Sequence, residues 1–165
     1  MPSRDTFSAP EIGDFVKRYL SISRLSVDPF ARNCALATVT NDLNPETKAQ
    51  IHKDAREFLA GLEVRPDLVI FDPPYSPRQI SEVYQRIGRE CKTEDTQNAA
   101  LYSECRNRIA EIMAPGGTVL SFGWNSSGMG KQRGFEIVEI MIVCHGGAHN
   151  DTICMAERQL QTRLL

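Results

Sequence analysis

The apolar positions of this chain fall into short runs and helical stripes that alternate along its length. Phe15, Val16, Tyr19 and Leu20 recur at helical spacing. A short apolar piece, Leu25-Ser26-Val27, leads into Asp28-Pro29-Phe30, and another, Ala35 to Val39, ends at Asn41-Asp42. Asn44-Pro45 reads as a helix cap followed by proline in the first helical position, and Ala55 to Leu62 is expected to be helical. Leu68-Val69-Ile70-Phe71 is continuously apolar and predicts a buried strand. Ile80, Val83, Tyr84 and Ile87 then form one helical stripe. A second helix is expected from near Thr96 to Met113, with Leu101, Cys105, Ile109 and Ile112 facing inward. Pro115-Gly116-Gly117 is a turn signal, Thr118 to Phe122 a strand, and Gly123 to Gly134 a long polar loop. Ile137 to Cys144 and Thr152 to Ala156 predict two strands joined as a hairpin through His145 to Asp151. Alternating strands and helices predict one α/β domain over residues 1–165, a mostly parallel sheet flanked by helices and ending in an antiparallel hairpin. There is no internal repeat or linker.

Composition narrows the class. Of the 165 residues 41% are hydrophobic and 24% charged, which is ordinary for a globular domain. No apolar run approaches the ~20 residues a membrane span needs. The start, Met1-Pro2-Ser3-Arg4-Asp5, lacks the apolar core of a secretory signal. Five cysteines without a Cys-x-x-Cys pair read as reduced, mostly buried thiols of a cytoplasmic protein. The net charge of −2 argues against a broad basic footprint. Positive charge is local, at Arg78, Arg86, Arg89 and Lys92 and again at Lys131 and Arg133; each group is either a solvated face or a nucleic-acid contact. Cys144, His145, His149 and Cys154 match no common zinc spacing, so no metal is expected. Asn125-Ser126-Ser127-Gly128 lacks the context of a nucleophile elbow. Trp124 either caps the core or stacks on a base.

The densest chemistry follows the apolar strand, in Asp72-Pro73-Pro74-Tyr75. In open α/β sheets ligands bind just beyond the carboxyl ends of the strands. Two prolines there fix the backbone and remove two N–H donors, which leaves carbonyl oxygens beside a carboxylate and a flat ring. That set suits a planar molecule with an exocyclic amine: the amine donates to Asp72 and to the Pro73 carbonyl, and Tyr75 stacks on the ring. An Asp-Pro-Pro segment is also a strand-ending turn in its own right. With its strand and its tyrosine, the tetrapeptide resembles the catalytic motif of S-adenosylmethionine-dependent amino-methyltransferases, above all those that methylate N6 of adenine in DNA.

The resemblance extends toward the start of the chain. In that family a segment like Asp-Pro-Phe-x-Gly-x-Gly after the first strand cradles the methionine part of the cofactor. Asp28-Pro29-Phe30-Ala31-Arg32-Asn33-Cys34 stands in that place, with Arg32 and Cys34 where the family has glycines. Asp42 matches the acid that binds the ribose hydroxyls, since a carboxylate accepts two hydrogen bonds at once. Asp54-Ala55 matches an acid–small pair beside the cofactor adenine, and Phe7 an aromatic that lines the pocket. The resemblance thus implies a cofactor set of Phe7, Asp28, Pro29, Phe30, Ala31, Arg32, Asp42, Asp54 and Ala55, and a catalytic set of Asp72, Pro73, Pro74 and Tyr75.

Two departures shape the expectation. Arg32 and Cys34 adopt positive φ less freely than glycine, and too few residues separate Phe30 from the next apolar run for a crossover helix, which takes about a dozen residues or more. The expected fold is therefore a trimmed class I, Rossmann-like methyltransferase with a remodelled or weakened cofactor loop. The implied activity is methyl transfer from S-adenosyl-L-methionine to N6 of adenine in DNA. The alternatives are an RNA base methyltransferase of similar motif and a non-catalytic methyltransferase-like subunit. The implied partner is nucleic acid, DNA ahead of RNA. Because no large recognition insert is present, specificity is expected to be low or to come from a homodimer or a separate subunit.

Overall fold

The computed structural model describes residues 6–74, 98–147 and 150–160. Six strands form one sheet: β1 (Ser26–Asp28), β2 (Val39–Thr40), β3 (Leu68–Phe71), β4 (Thr118–Gly123), β5 (Phe135–Val143) and β6 (Thr152–Gln159). Their order across the sheet is β2-β1-β3-β4-β6-β5. The first four are mutually parallel, and β6 inserts antiparallel between β4 and β5. This is the expected mostly parallel sheet closed by an antiparallel hairpin.

Among the described residues three α-helices cover the sheet: α1 (Pro10–Leu20), α2 (Ala55–Ala60) and α3 (Asn98–Ile112). α1 starts on a proline, whose missing N–H costs nothing there, and carries Glu11 in its first turn and Lys17 and Arg18 in its last, which suits the helix dipole. The side chains of β3 alternate between the two faces. Leu68 and Ile70 pack with Ile12, Phe15 and Val16 of α1, while Val69 and Phe71 pack with Phe58 and Leu59 of α2 and Tyr102, Cys105 and Ile109 of α3. All four residues of β3 are buried, which explains its unbroken apolar run. Of the predicted inward stripe of α3, Cys105, Ile109 and Ile112 are buried, but Tyr102 rather than Leu101 completes it. The stripe from Ile80 to Ile87 lies outside the described residues.

The sheet edge at β2 differs from expectation. Residues 29–38 contain no helix, so β1 and β2 are parallel neighbours joined by a loop alone. The run from Ala35 to Val39 forms strand only at Val39–Thr40. Ser26 and Thr38 instead exchange side-chain-to-backbone bonds, with Thr38 N donating to Ser26 Oγ at 2.9 Å, and these replace ladder pairing at that level. Asn44-Pro45 opens no helix. Asn44 Oδ1 accepts Glu46 N at 3.0 Å and its carbonyl accepts Thr47 N, which makes one turn. Gln50 and Ile51 are then drawn back onto Thr40 and Asn41, and Ile51 pairs with Asn41 in a parallel bridge. The tertiary pull of the sheet edge overrides the local helix signal.

β5 forms the other edge and bulges between Ile137 and Glu139. Ile137, Val138, Ile140 and Ile142 stay exposed on it. Cys105 and Cys154 are buried, and burial pushes both thiols up to about 12. Cys144, expected in a strand interior, is exposed just past the end of β5. Among the described residues no helix is long and apolar enough to cross a membrane.

Candidate active site at the carboxyl edge of the sheet

Parallel strands β1, β2 and β3 end side by side, and each delivers a carboxylate near its end. Asp28 closes β1, Asp42 follows β2 by two residues, and Asp72 follows β3 by one. Asp28 is 1% exposed and Asp72 6%, while Asp42 is partly buried. Burial pushes the Asp28 carboxyl well above its usual range, and the nearby charges of Asp72 and Asp42 push it further; the bond it accepts from Phe30 N, at 2.9 Å, opposes them. Burial also raises Asp42, against the opposing effect of backbone N–H groups from Asn44 at 2.8 Å and Arg32 at 3.1 Å. Asp28 thus lies within electrostatic reach of both other acids, and a cluster of carboxyl groups with raised pKa at one sheet edge marks a candidate site.

The loop after β1 has an unusual backbone. Arg32 has φ of +52°, the left-handed region that favours glycine. It falls at the first of the two positions where the related motif carries glycine. The conformation thus persists without the residue type that adopts it most cheaply, and the Arg32 N–H turned inward by it is the one bound to Asp42. Cys34, at the second position, keeps a negative φ and closes a turn by donating its N–H to the Ala31 carbonyl.

Asn41 holds this loop in place. It is fully buried. Its Nδ2 donates to the carbonyls of Pro29 at 3.1 Å and Lys53 at 3.0 Å, and its Oδ1 accepts Lys53 N at 3.0 Å. Its main chain donates to Asp28 O and accepts from Ala31 N, both at 2.8 Å. One residue therefore ties the loop after β1, the end of β2 and the segment leading to α2. Sequence reading stopped at its neighbour Asp42; a buried Asn at a strand end was the available signal.

Asp54 and Ala55 begin α2. Asp54 is its N-cap, accepting Arg56 N at 2.9 Å, and also takes two bonds from the Arg56 guanidinium. Burial would raise its carboxyl, but these bonds and the Arg56 charge outweigh that and hold it below the usual range. Ala55 is buried in the α2–α3 core.

An aromatic cluster links the two halves of the site. The rings of Phe30, Phe71 and Tyr102 meet edge to face, with centroids 5.6 to 6.3 Å apart. Tyr102 Oη donates to the Pro74 carbonyl at 2.6 Å. Phe30 of the β1 loop is thus packed on the strand that ends in Asp72, while a helix residue pins the double proline. Tyr102 was missed as a site residue because it reads only as one more helical apolar position. Phe7 stands at the same edge but on the α1 face, packed on Phe122 near the end of β4 at 5.2 Å; it does not join the Phe30 cluster. Tyr75 lies outside the described residues, as does His149. His145 bonds Thr152 Oγ1 at 2.8 Å.

A cleft of about 560 Å³ opens at the opposite edge, near the amino ends of β3 and β4, and is lined by Tyr19, Ser23, Asp67, Thr118, Arg158 and Gln159 among others. It contains none of the residues above. Its acid, Asp67, is occupied structurally by Ser23 Oγ and the backbone N–H groups of Arg24 and Leu25. Strand polarity makes the carboxyl edge, not this cleft, the candidate site.

No protein-family model matches this sequence, and no curated protein matches it by sequence. Solved structures do match the fold. TrmN from Thermus thermophilus superposes with a TM-score of 0.62 at 16% identity, over 92% of this chain and 49% of its own. The N-methyltransferase NodS from Bradyrhizobium japonicum WM9 gives 0.60 at 13% identity, over 96% of this chain and 99% of its own. NodS has also been solved with S-adenosyl-L-homocysteine, at a TM-score of 0.54 and 12% identity, over 91% and 88% of the two chains. aTrm5, solved in complex with tRNALeu, gives 0.54 at 14% identity, over 91% of this chain and 46% of its own. The chain thus spans about half the length of TrmN and nearly all of NodS. With its strand order, its inserted antiparallel β6 and these likenesses, the chain has the fold of class I, Rossmann-like methyltransferases, shortened by the crossover helix between β1 and β2.

Proposed function

We propose that this protein transfers a methyl group from S-adenosyl-L-methionine to the exocyclic N6 amine of adenine in DNA. The observation that carries the reading is the Asp72-Pro73-Pro74 segment, pinned by Tyr102 at the carboxyl end of a central strand and facing the acid-rich loop of Asp28 and Asp42.

The residues present fit the cofactor. The left-handed backbone at Arg32 keeps, at the first glycine position of the motif, the φ region that a glycine adopts most cheaply. Asp42 accepts one N–H on each carboxylate oxygen, which leaves lone pairs for a ribose diol. Asp28, Pro29, Phe30 and Ala31 would face the methionine part, with Asp54, Ala55 and Phe7 toward the rest. The cofactor, when bound, supplies an electrophilic methyl on sulfur. Asp72 and the Pro73 carbonyl accept the two amine protons of the target and turn its lone pair toward that methyl, while Tyr75 stacks on the base. Positioning provides most of the acceleration. No strong base is required, because the proton leaves readily once the nitrogen carries positive charge.

The RNA alternative is favoured by one observation, the likeness to a protein solved with a tRNA. A non-catalytic subunit would fail to bind cofactor at all. Calorimetric titration with S-adenosylmethionine is expected to show saturable binding, and a radiolabelled transfer assay on DNA and RNA is expected to label DNA. Asp72→Ala should abolish transfer and leave cofactor affinity nearly unchanged. Near wild-type transfer by that variant would overturn the assignment of Asp72, and label entering RNA alone would overturn DNA as substrate.

A further inference from the structure

Among the described residues two buried polar side-chain atoms have no hydrogen-bond partner, Arg106 Nε and Ser121 Oγ. Buried polar groups are almost always satisfied, so each exception needs a reason. Both lie against Phe71, the residue before Asp72. The Arg106 guanidinium sits 5.4 Å from the Phe71 ring centroid. Ser121 on β4 is the direct neighbour of Phe71 on β3. Alternation along β4 turns Ser121 to the same face as Val119, the face that α3 and Arg106 cover.

Among the described residues no carboxylate forms a hydrogen bond or close ion pair with Arg106. Glu157 on β6 is the nearby carboxylate, and each of its oxygens already accepts one backbone N–H, from Met129 at 2.6 Å and from Gly130 at 2.9 Å. Arg133, the neighbouring guanidinium, uses one N–H of each nitrogen on Asn107 Oδ1, the Met129 carbonyl and Ser103 Oγ. Burial and the Arg133 charge press against the charged form of Arg106, and the Glu157 charge only partly offsets them. A partly buried cation beside a second cation, with an unpartnered hydroxyl on the same sheet face and no carboxylate bonded to it among the described residues, is arranged for an anionic ligand.

We infer that Arg106 and Ser121 form a phosphodiester-binding subsite that holds the nucleic-acid backbone beside the nucleotide presented to Asp72. The planar fork of arginine matches two phosphate oxygens, and the serine hydroxyl donates to an oxygen of the same group. The proposal rests on the nucleic-acid reading given above.

The test uses the full chain with Arg106→Met, which keeps a long apolar stem over Phe71, Arg106→Lys, which keeps the charge, and Ser121→Ala. Binding of fluorescein-labelled single-stranded DNA and RNA is measured from 50 to 200 mM salt, with thermal unfolding and S-adenosylmethionine calorimetry alongside. Arg106→Met should weaken binding about tenfold and lower the slope of log affinity against log salt by about one. Arg106→Lys should restore most of that slope. Ser121→Ala should weaken binding severalfold without lowering the melting temperature, because it removes a hydroxyl that the fold leaves unsatisfied. Wild-type affinity and slope in Arg106→Met and Ser121→Ala would overturn the proposal. So would a loss that follows the melting temperature, or one that falls on cofactor affinity instead. If the wild type binds neither nucleic acid, the nucleic-acid reading fails, and this inference with it.

Discussion

Replacing Asn41 tests how the site is held together, independently of any activity. Its side chain makes three hydrogen bonds, to the carbonyl of buried Pro29 and to the N–H and carbonyl of exposed Lys53. In Asn41→Ala, water reaches the Lys53 groups, so each of those bonds costs about 1 kcal/mol net. The Pro29 carbonyl is buried and loses its side-chain donor, at about 1–3 kcal/mol. The total, about 3–5 kcal/mol, is a large part of the 5–15 kcal/mol typical of a folded domain. Urea unfolding followed by far-UV circular dichroism should show a midpoint lower by more than about 1 M with an unchanged slope. Asn41→Asp sharpens the test, because it keeps the acceptor for Lys53 N but turns an acceptor toward two carbonyls. Its carboxyl pKa in the folded state must lie above the unfolded value of about 3.9. The variant should therefore approach its best stability below that value and lose stability as pH rises through the folded pKa. At pH 8 it should be less stable than Asn41→Ala. A loss below about 1 kcal/mol in Asn41→Ala, or an Asn41→Asp variant as stable as Asn41→Ala at pH 8, would refute the clamp.

Asp42→Ala leaves the N–H groups of Arg32 and Asn44 without their acceptor and should weaken S-adenosylmethionine binding by a few kcal/mol, on the order of a charged hydrogen bond; unchanged affinity by calorimetry would show that the ribose is held elsewhere. Asp28 has a raised carboxyl in the folded state, so its contribution is complete below the unfolded pKa and is lost as pH rises through the folded one. Asp28→Asn should consequently be more stable than wild type at pH 8 and flatten the pH profile of unfolding, and a less stable variant there would contradict the charge cluster. Tyr102→Phe keeps the three-ring contact but frees the Pro74 carbonyl, at about 0.5–1.5 kcal/mol of stability. If that bond positions Asp72, kcat should fall in the transfer assay while KM for cofactor holds, and a KM effect alone would assign Tyr102 to binding.

Sequence by itself determined the elements whose signal is local. β3 shows as four apolar residues because both of its faces are covered, and α1, α2 and the antiparallel hairpin show through periodicity and turn residues. The Asp72-Pro73-Pro74 segment was legible as a candidate for the same reason, since it is a run of consecutive residues at a strand end. The missing crossover helix was legible as a shortage of residues between Phe30 and the apolar run that starts at Ala35. Tertiary structure alone decided what depends on distant partners. Asn44-Pro45 carries a sound helix signal, yet pairing of Asn41 with Ile51 at the sheet edge ends it after one turn. Arg32 carries no glycine signal, yet the acceptor supplied by Asp42, ten positions on, accompanies its left-handed backbone. Tyr102 is merely apolar in the helical pattern until the fold brings its hydroxyl to Pro74. The role of Asn41 likewise exists only once Pro29, Asn41 and Lys53 are neighbours. Periodicity records which face of an element is buried; it does not record which polar atoms meet across the sheet, and those meetings build the site.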